Sequence, residues 1–519
     1  MKHTGINKLL AMAALTGCCH LMPSMAQERQ GSFIRYSCIP DADGTEASAA
    51  RGCRLPAIST QWDAQRTYPV AVVLVEFADQ AFTTGDASNG ATMGDIADVN
   101  ERYRRLFNEE GFNRGHGPGC VADYFVSQSE GLFHPRFDVY GPVKLGGSCK
   151  SYGNYGGNGF REALQTADDT YAIDFSAYDW NGDGQAEYVV FVYAGYGGNE
   201  NKTAAKGCIW PNTYSFAALT LDGVTIANYS ASPETWVSGN SCGIGTICHE
   251  YSHTLGLPDL YPTAGSEFSV VDEWDLMDGG NFTDSGWCPP CYSTHEKMLL
   301  GWRQPQELFA PATIGQMQPM SQGGETYIVR TSSSSDEFFL LENRQWSGWD
   351  SCTPGHGLLI THVDYNASAW KGNTVNNTAT HHRYEQVHAD NLDYNAWEEI
   401  LNKKNSYVDG HSRYLSGTPY PFVSDEGDNT EFTDTSVPAA TTYSGSQLLS
   451  KPITDIAEAD DGTVSFSFMG GISVGIAPPS TFNPQPSSLY DLQGRRLSPA
   501  SCLQTGLVLK NGKKYFIQH

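Results

Sequence analysis

The run His249-Glu250-Tyr251-Ser252-His253-Thr254-Leu255-Gly256-Leu257-Pro258-Asp259, of the form HExxHxxGxxD, constrains this 519-residue chain more than any other feature. Residues four apart lie on one face of an α-helix, so His249 and His253 can aim both imidazoles at one ion with Glu250 beside them. Gly256 can adopt the left-handed conformation that ends a helix, and Pro258 cannot continue one. The chain is therefore expected to turn back there and bring Asp259 to the ion as a third ligand. Ile244, Cys248, Tyr251 and Leu255 form an apolar stripe at helical spacing, while Thr246, His249, Glu250 and His253 fall on another face. One face should pack and the other hold metal. Imidazole nitrogen suits Zn²⁺, and catalytic zinc sites keep three protein ligands with the fourth position left to water, from which Glu250 could take a proton. Hydrolysis is the leading expectation.

Charge and composition narrow the remaining classes. A net charge of −26 argues against nucleic-acid or anionic-membrane binding through a basic face, and 40% hydrophobic residues are ordinary for a globular protein. Lys2 and Lys8 precede an apolar run from Leu9 to Leu15 and then Ser24-Met25-Ala26, which reads as an export signal cleaved after Ala26. A competing reading takes Leu15-Thr16-Gly17-Cys18 as a lipobox, with Cys18 acylated and the protein attached to an outer membrane or cell surface. Either reading exports the chain, and no later stretch is long enough to span a bilayer. Most of the thirteen cysteines lie beyond this segment, as expected where disulfides persist. Cys38 with Cys53 and Cys120 with Cys149 are candidate local bridges, and Cys288-Pro289-Pro290-Cys291 reads as a small bridge or as two partners for distant thiols.

Residues 27–66 are weakly periodic and read as a pro-segment or N-terminal arm, in which Cys53 is either a zinc-blocking thiolate or half of a disulfide. Val70 to Val75 and Tyr188 to Tyr193 read as strands, and Asp95 to Phe107 as a helix. Thr326 to Arg330, Phe338 to Glu342, Gly357 to Val363 and Thr463 to Met469 are further short strands that suggest a sandwich. Asp179, Asn181 and Asp183 alternate around a turn like the first half of a calcium loop, with Glu187 needed to complete the shell; a solvated acidic turn is the competing reading. Asp425 to Asp428 reads as a solvated loop, and His381, His382 and His388 as surface or supporting histidines.

Together with Trp274-Asp275-Leu276-Met277, the zinc motif resembles the immune inhibitor A group of metallopeptidases, peptidase family M6. Val70 to Asp79, Val121 to Phe125 with Ser129-Glu130-Gly131, Phe338 to Asp364 and Pro452 to Ile456 extend the resemblance over roughly residues 67 to 470. It implies a secreted zinc endopeptidase of α+β class, with a metzincin-like catalytic domain over 67–315 followed by a β-sandwich-like domain over 316–470. Protein or peptide substrates are implied. His249, His253 and Asp259 become zinc ligands, Glu250 the catalytic base and Met277 the turn beneath the metal. Related clans place a Tyr two residues after that Met, whereas this chain has Gly279, so the oxyanion partner is unassigned. Residues 471–488 read as a Pro-rich linker. Residues 489–519 resemble a C-terminal sorting signal of the Bacteroidetes type IX secretion system, a short β tail. Two other functions compete: an adhesin on a degenerate peptidase fold, and a zinc hydrolase acting on a non-peptide bond.

Overall fold

The computed structural model describes residues 62–471 except 85–92, 201, 265–269, 332–335, 394–395, 397–414 and 426, together with the backbone of four short strands within 489–517. The expected leader, Cys18, Cys38 and Cys53, and the linker lie outside the described residues. Residues to 471 cluster as one compact unit and those from 472 as another.

The first sheet has five strands in the order β2 (His134–Lys144), β1 (Thr67–Glu76), β3 (Val189–Tyr196), β5 (Val224–Thr235), β4 (Asn212–Leu221). The first four run parallel and β4 closes the edge antiparallel to β5. Near-continuous apolar runs in β1 and β3 are what a central parallel strand requires, because both of its faces are covered. Val70, Val72, Leu74, Val190 and Val192 face one core, while Ala71, Val73, Val75, Phe191 and Tyr193 face a second. Helices α1 (Val99–Asn108), α2 (Val121–Gln128) and α4 (Gly245–Thr254) contribute to the first core. Helix α3 (Gly157–Tyr171) packs Phe160, Ala163, Leu164 and Ala167 into the second.

After helix α5 (Thr294–Leu299), a second sheet runs β11 (Tyr384–Gln386), β10 (Gly357–Asp364), β9 (Glu337–Arg344), β8 (Tyr327–Arg330), β6 (Gln306–Glu307). A three-stranded sheet, β12 (Ile453–Glu458), β13 (Val464–Phe468), β7 (Ala312–Met317), shares a core with it. Every residue of β9 is buried. Alternation explains this: Phe339 and Leu341 face the three-stranded sheet, whereas Phe338 and Leu340 join the core that holds α4. The later sheet is thus part of the wall around the motif helix, and a short helix α6 (Ala367–Lys371) follows it. The mixture of several sheets with few helices fits the expected class.

The unit from 472 carries β14 to β17 (Leu489–Tyr490, Arg496–Leu497, Gly506–Lys510, Lys513–Ile517) in one sheet of order β15, β14, β16, β17.

Candidate metal centre

Helix α4 is buried on every side, including the face expected to be only a metal face. Ile244, Cys248, Tyr251 and Leu255 enter the apolar core, as their spacing predicts, and Ile247 joins them. At the helix start a Cβ on Gly245 would lie 2.1 Å from the Asn281 carbonyl oxygen, so only glycine lets the backbone of 279–286 approach so closely. At the other end Gly256 takes φ +98°, and its N–H bonds the His253 carbonyl at 3.0 Å. The chain then reverses and delivers Asp259 to the two rings.

The arrangement is closed and specific. His249 Nε2 and His253 Nε2 each lie 3.2 Å from Asp259 Oδ1, and the two rings stand nearly perpendicular with centroids 4.9 Å apart. Both Nδ1 atoms face carbonyl oxygens, His249 toward Leu276 at 2.8 Å and His253 toward Leu257 at 2.7 Å. A carbonyl can only accept, so both Nδ1 atoms carry hydrogen and both Nε2 atoms present lone pairs in the neutral rings. Two nitrogen lone pairs and a buried carboxylate oxygen then point at one another. That is stable only with positive charge among them. Among the described residues, this is the group of three or more His, Cys, Asp or Glu side chains placed to hold a metal ion, with ligand atoms within 4.8 Å of one another.

The electrostatics agree. Burial works against charge on His253, yet the Asp259 carboxylate overcomes it and raises the ring to about 9. Burial would also raise Asp259, but His253 and His249 hold it well below the ordinary carboxylate range. A field that favours a proton between these groups favours a divalent ion more strongly. The donor set, two imidazoles and one carboxylate, suits zinc.

Supporting groups come from far along the chain. Asn373 donates through Nδ2 to Asp259 Oδ2 at 2.6 Å, and its Oδ1 accepts the Asp259 N–H at 2.7 Å, from 114 residues away. Asn376 Nδ2 bonds the Leu260 carbonyl at 2.7 Å, so the segment after α6 braces the return turn. Thr213 on β4 donates its hydroxyl to the Glu250 carbonyl at 2.7 Å or to Glu250 Oε2 at 3.0 Å. Neither Asn373 nor Thr213 carries a local signal in the sequence. For β4 a signal existed: Asp222-Gly223, at φ 49° and 84°, is a two-residue hairpin turn. Met277 is buried, and its carbonyl accepts the Leu260 N–H at 2.8 Å, one residue after the carbonyl that orients His249.

The other sequence candidates lie elsewhere. Asp179 accepts backbone N–H bonds from Gly182 at 2.8 Å and Gly184 at 2.9 Å, Asn181 one from Asp183 at 2.8 Å, and Asp183 one from Gln185 at 2.9 Å. Glu187 Oε2 accepts the Trp180 N–H at 2.7 Å, and burial pushes this carboxyl up to about 7. His295 is buried among Phe338, Tyr365, Trp370 and Tyr384, where burial depresses it to about 3.

Residues 58–300 match the model of the immune inhibitor A peptidase M6 catalytic domain. The match with the M6 catalytic domain is confined to this segment. Immune inhibitor A of Bacillus thuringiensis subsp. alesti is 24% identical over 266 residues, covering 44% of this chain and 39% of that protein. The pre-pro-metalloprotease PrtV of Vibrio cholerae serotype O1 is 22% identical over 276 residues, covering 46% of this chain and 30% of that protein. The chain thus spans well under half the length of these M6 relatives. Among the described residues, no helix is long and apolar enough to cross a membrane.

Proposed function

We propose that the chain is an exported zinc metalloendopeptidase that hydrolyses peptide bonds in proteins, with His249, His253 and Asp259 as ligands and Glu250 as general base. The observation that carries this reading is the meeting of two Nε2 lone pairs with Asp259 Oδ1, beside a glutamate on the same helix. Zinc held by His249, His253 and Asp259 would supply Lewis-acid polarisation of the scissile carbonyl and would acidify a water. Glu250 takes the proton of the attacking water and returns it to the leaving amine, a role in which Thr213 fixes the carboxylate. Asn373 holds Asp259 by two bonds, so the ligand oxygen keeps its aim without reorganisation. The turn at Met277 supports His249 through the neighbouring Leu276 carbonyl. The metalloprotease in the name of one relative supports the same chemistry.

A closed, non-catalytic zinc site in a binding protein is the second reading, favoured by the near-complete burial of His249, Glu250, His253 and Asp259. Glu250 argues against it, because a purely structural ion has no use for an adjacent base. Metal content and casein digestion by the full chain, before and after chelation, separate the two. One equivalent of zinc with hydrolysis lost on chelation and regained with zinc is expected; bound zinc without hydrolysis would overturn the proposal.

In this reading residues 67–315 form a metzincin-like domain and 316–470 a β-sandwich, supported by the core shared between the five- and three-stranded sheets. Residues 1–26 act as a cleaved leader and 489–519 as a sorting tail, with the mature protein secreted or held at the cell surface. For the Asp179 loop we propose Ca²⁺, carried by the alternating oxygens and by the N–H bonds that wrap the backbone around them.

A further inference from the structure

The eight described cysteines are all thiols, but they are not equivalent. The Cys149 and Cys208 thiols perturb each other, and so do those of Cys288 and Cys352. Their surroundings place each pair independently. Lys150, next to Cys149, donates to the Ala204 carbonyl at 3.1 Å, and Cys208 Sγ lies 3.7 Å from the same oxygen. Both cysteines also enter the core on the α3 face of the first sheet. Cys288 Sγ lies 3.3 Å from Ser351 Oγ and 3.8 Å from the Trp349 carbonyl, and Ser351 Oγ lies 4.0 Å from Cys352 Sγ.

The remaining thiols have other neighbours. Cys120 Sγ caps α2 by accepting the Asp123 N–H at 3.4 Å, and Cys291 Sγ lies 3.9 Å from Gln128 Nε2. Cys242 and Cys248 are fully desolvated. The expected local bridge from Cys120 to Cys149 is not what the fold prepares, because those residues enter different cores.

We propose that, among the described cysteines, oxidation forms two disulfides, Cys149–Cys208 and Cys288–Cys352, and leaves Cys120, Cys242, Cys248 and Cys291 as thiols. The oxidant is a small-molecule or protein disulfide. In the second pair the half-buried Cys352 is the attacking group, because the Cys288 thiol favours its thiolate. Its sulfur bonds one sulfur of the oxidant and expels the other as a thiolate, which takes up a proton. Cys288 then loses its proton and attacks the Cys352 sulfur, releasing the second oxidant thiol. Two protein thiols lose two electrons and two protons, and the oxidant gains both. The Cys149–Cys208 bond forms by the same exchange.

The positions give these bonds a purpose. Cys149–Cys208 ties the end of β2 to the segment entering β4, the strand that carries Thr213. Cys288–Cys352 ties the segment behind the α4 entry to the connection between β9 and β10. Both fasten walls of the metal centre.

The test treats the folded full chain with oxidised glutathione, blocks thiols under denaturing conditions and maps peptides without reduction. Peptides linked Cys149 to Cys208 and Cys288 to Cys352 are expected, with the other four described cysteines blocked. Linkage of Cys288 to Cys291 or Cys120 to Cys149, or blocking of Cys149 and Cys288 as free thiols, would overturn the proposal. Cys149→Ser, Cys208→Ser and the double variant provide a second readout. Under oxidising conditions each single change should lower the melting temperature as much as the double, and the difference from wild type should shrink with reductant; additive losses insensitive to reductant would count against the bond.

Discussion

Among the described residues, two buried clusters set a histidine against more than one polar partner that includes a carboxylate, and they differ in what faces the second ring nitrogen. At α4 the backbone carbonyls of Leu276 and Leu257 face both Nδ1 atoms, so both Nε2 atoms meet Asp259, and either a proton on His253 or an external cation balances the carboxylate. On the second sheet His362 lies between Glu337, 2.9 Å from Nε2, and Glu385, 3.6 Å from Nδ1. Carboxylates face both nitrogens there, and the protonated ring is itself the cation. Burial alone would lower His362, yet its bonds to Glu337 and Glu385 raise it. The partner of the second ring nitrogen therefore decides whether such a cluster can also offer its nitrogens to a metal.

The contrast breaks most visibly at the base. Glu250→Gln should lower peptide hydrolysis by about 10²–10⁴-fold while zinc stays at one equivalent. His362→Gln should leave both activity and zinc unchanged. Loss of zinc in His362→Gln would mean that the two clusters are not separate in kind. Next in size is the brace on Asp259. Asn373 sits at φ 52°, so Asn373→Gly removes the amide without adding backbone strain. Zinc affinity should fall about 10–100-fold, measured by competition with a chelator, with hydrolysis restored at high zinc. An unchanged affinity would show that the return turn alone aims the ligand.

The proton cluster predicts a pH window instead. Glu337 and Glu385 are both depressed to about 2, burial being outweighed first by the bond to His362 and, for Glu337, by bonds from Ser444 and the Tyr443 N–H as well. Their contribution is present above the unfolded carboxyl value of 4.5 and lost as pH falls toward 2. The His362 contribution is present below the unfolded value of 6.5 and lost as pH rises through its raised native value. Stability from this cluster should therefore be greatest between those unfolded values. His362→Gln should cost about 1.5 kcal/mol there and less at higher pH, measured by urea unfolding across the range. A loss independent of pH would point to packing against Phe339 and Tyr443 rather than charge.

What the sequence revealed followed the range of the interactions. The β1 and β3 runs were legible because a strand covered on both faces is apolar at every position, and His249, Glu250 and His253 because helix spacing alone brings them together. Asp259 was legible through Gly256, whose left-handed turn sends the chain back. Asn373 was not, since a brace on Asp259 from 114 residues away leaves no periodic trace. Nor was the full burial of α4, because the stripe at Ile244, Cys248, Tyr251 and Leu255 records only the side that packs on apolar groups. The polar side is buried against β4 through Thr213, whose strand has exposed positions interrupting its pattern.

The smallest expected effect lies in the Asp179 loop, which contrasts with the α4 centre in another way. Its oxygens accept backbone N–H bonds first, so the loop is already shaped without an ion, whereas at α4 two ring nitrogens and a carboxylate oxygen meet and need a proton or a cation among them. A Ca²⁺ ion would add only its own binding energy to a turn that stands by itself. With the about 10⁻⁴–10⁻³ M affinity usual for extracellular modules, about 1 mM Ca²⁺ should add roughly 0.4–1.4 kcal/mol of stability. The gain should vanish in Asp183→Asn, which keeps the side-chain acceptor for the Gln185 N–H but removes a charge. A melting temperature that ignores Ca²⁺ in the wild-type chain, or a gain that persists in Asp183→Asn, would leave this loop a self-capped acidic turn. The α4 cluster would then be the sole region in which an external ion completes the balance of charge among the described residues.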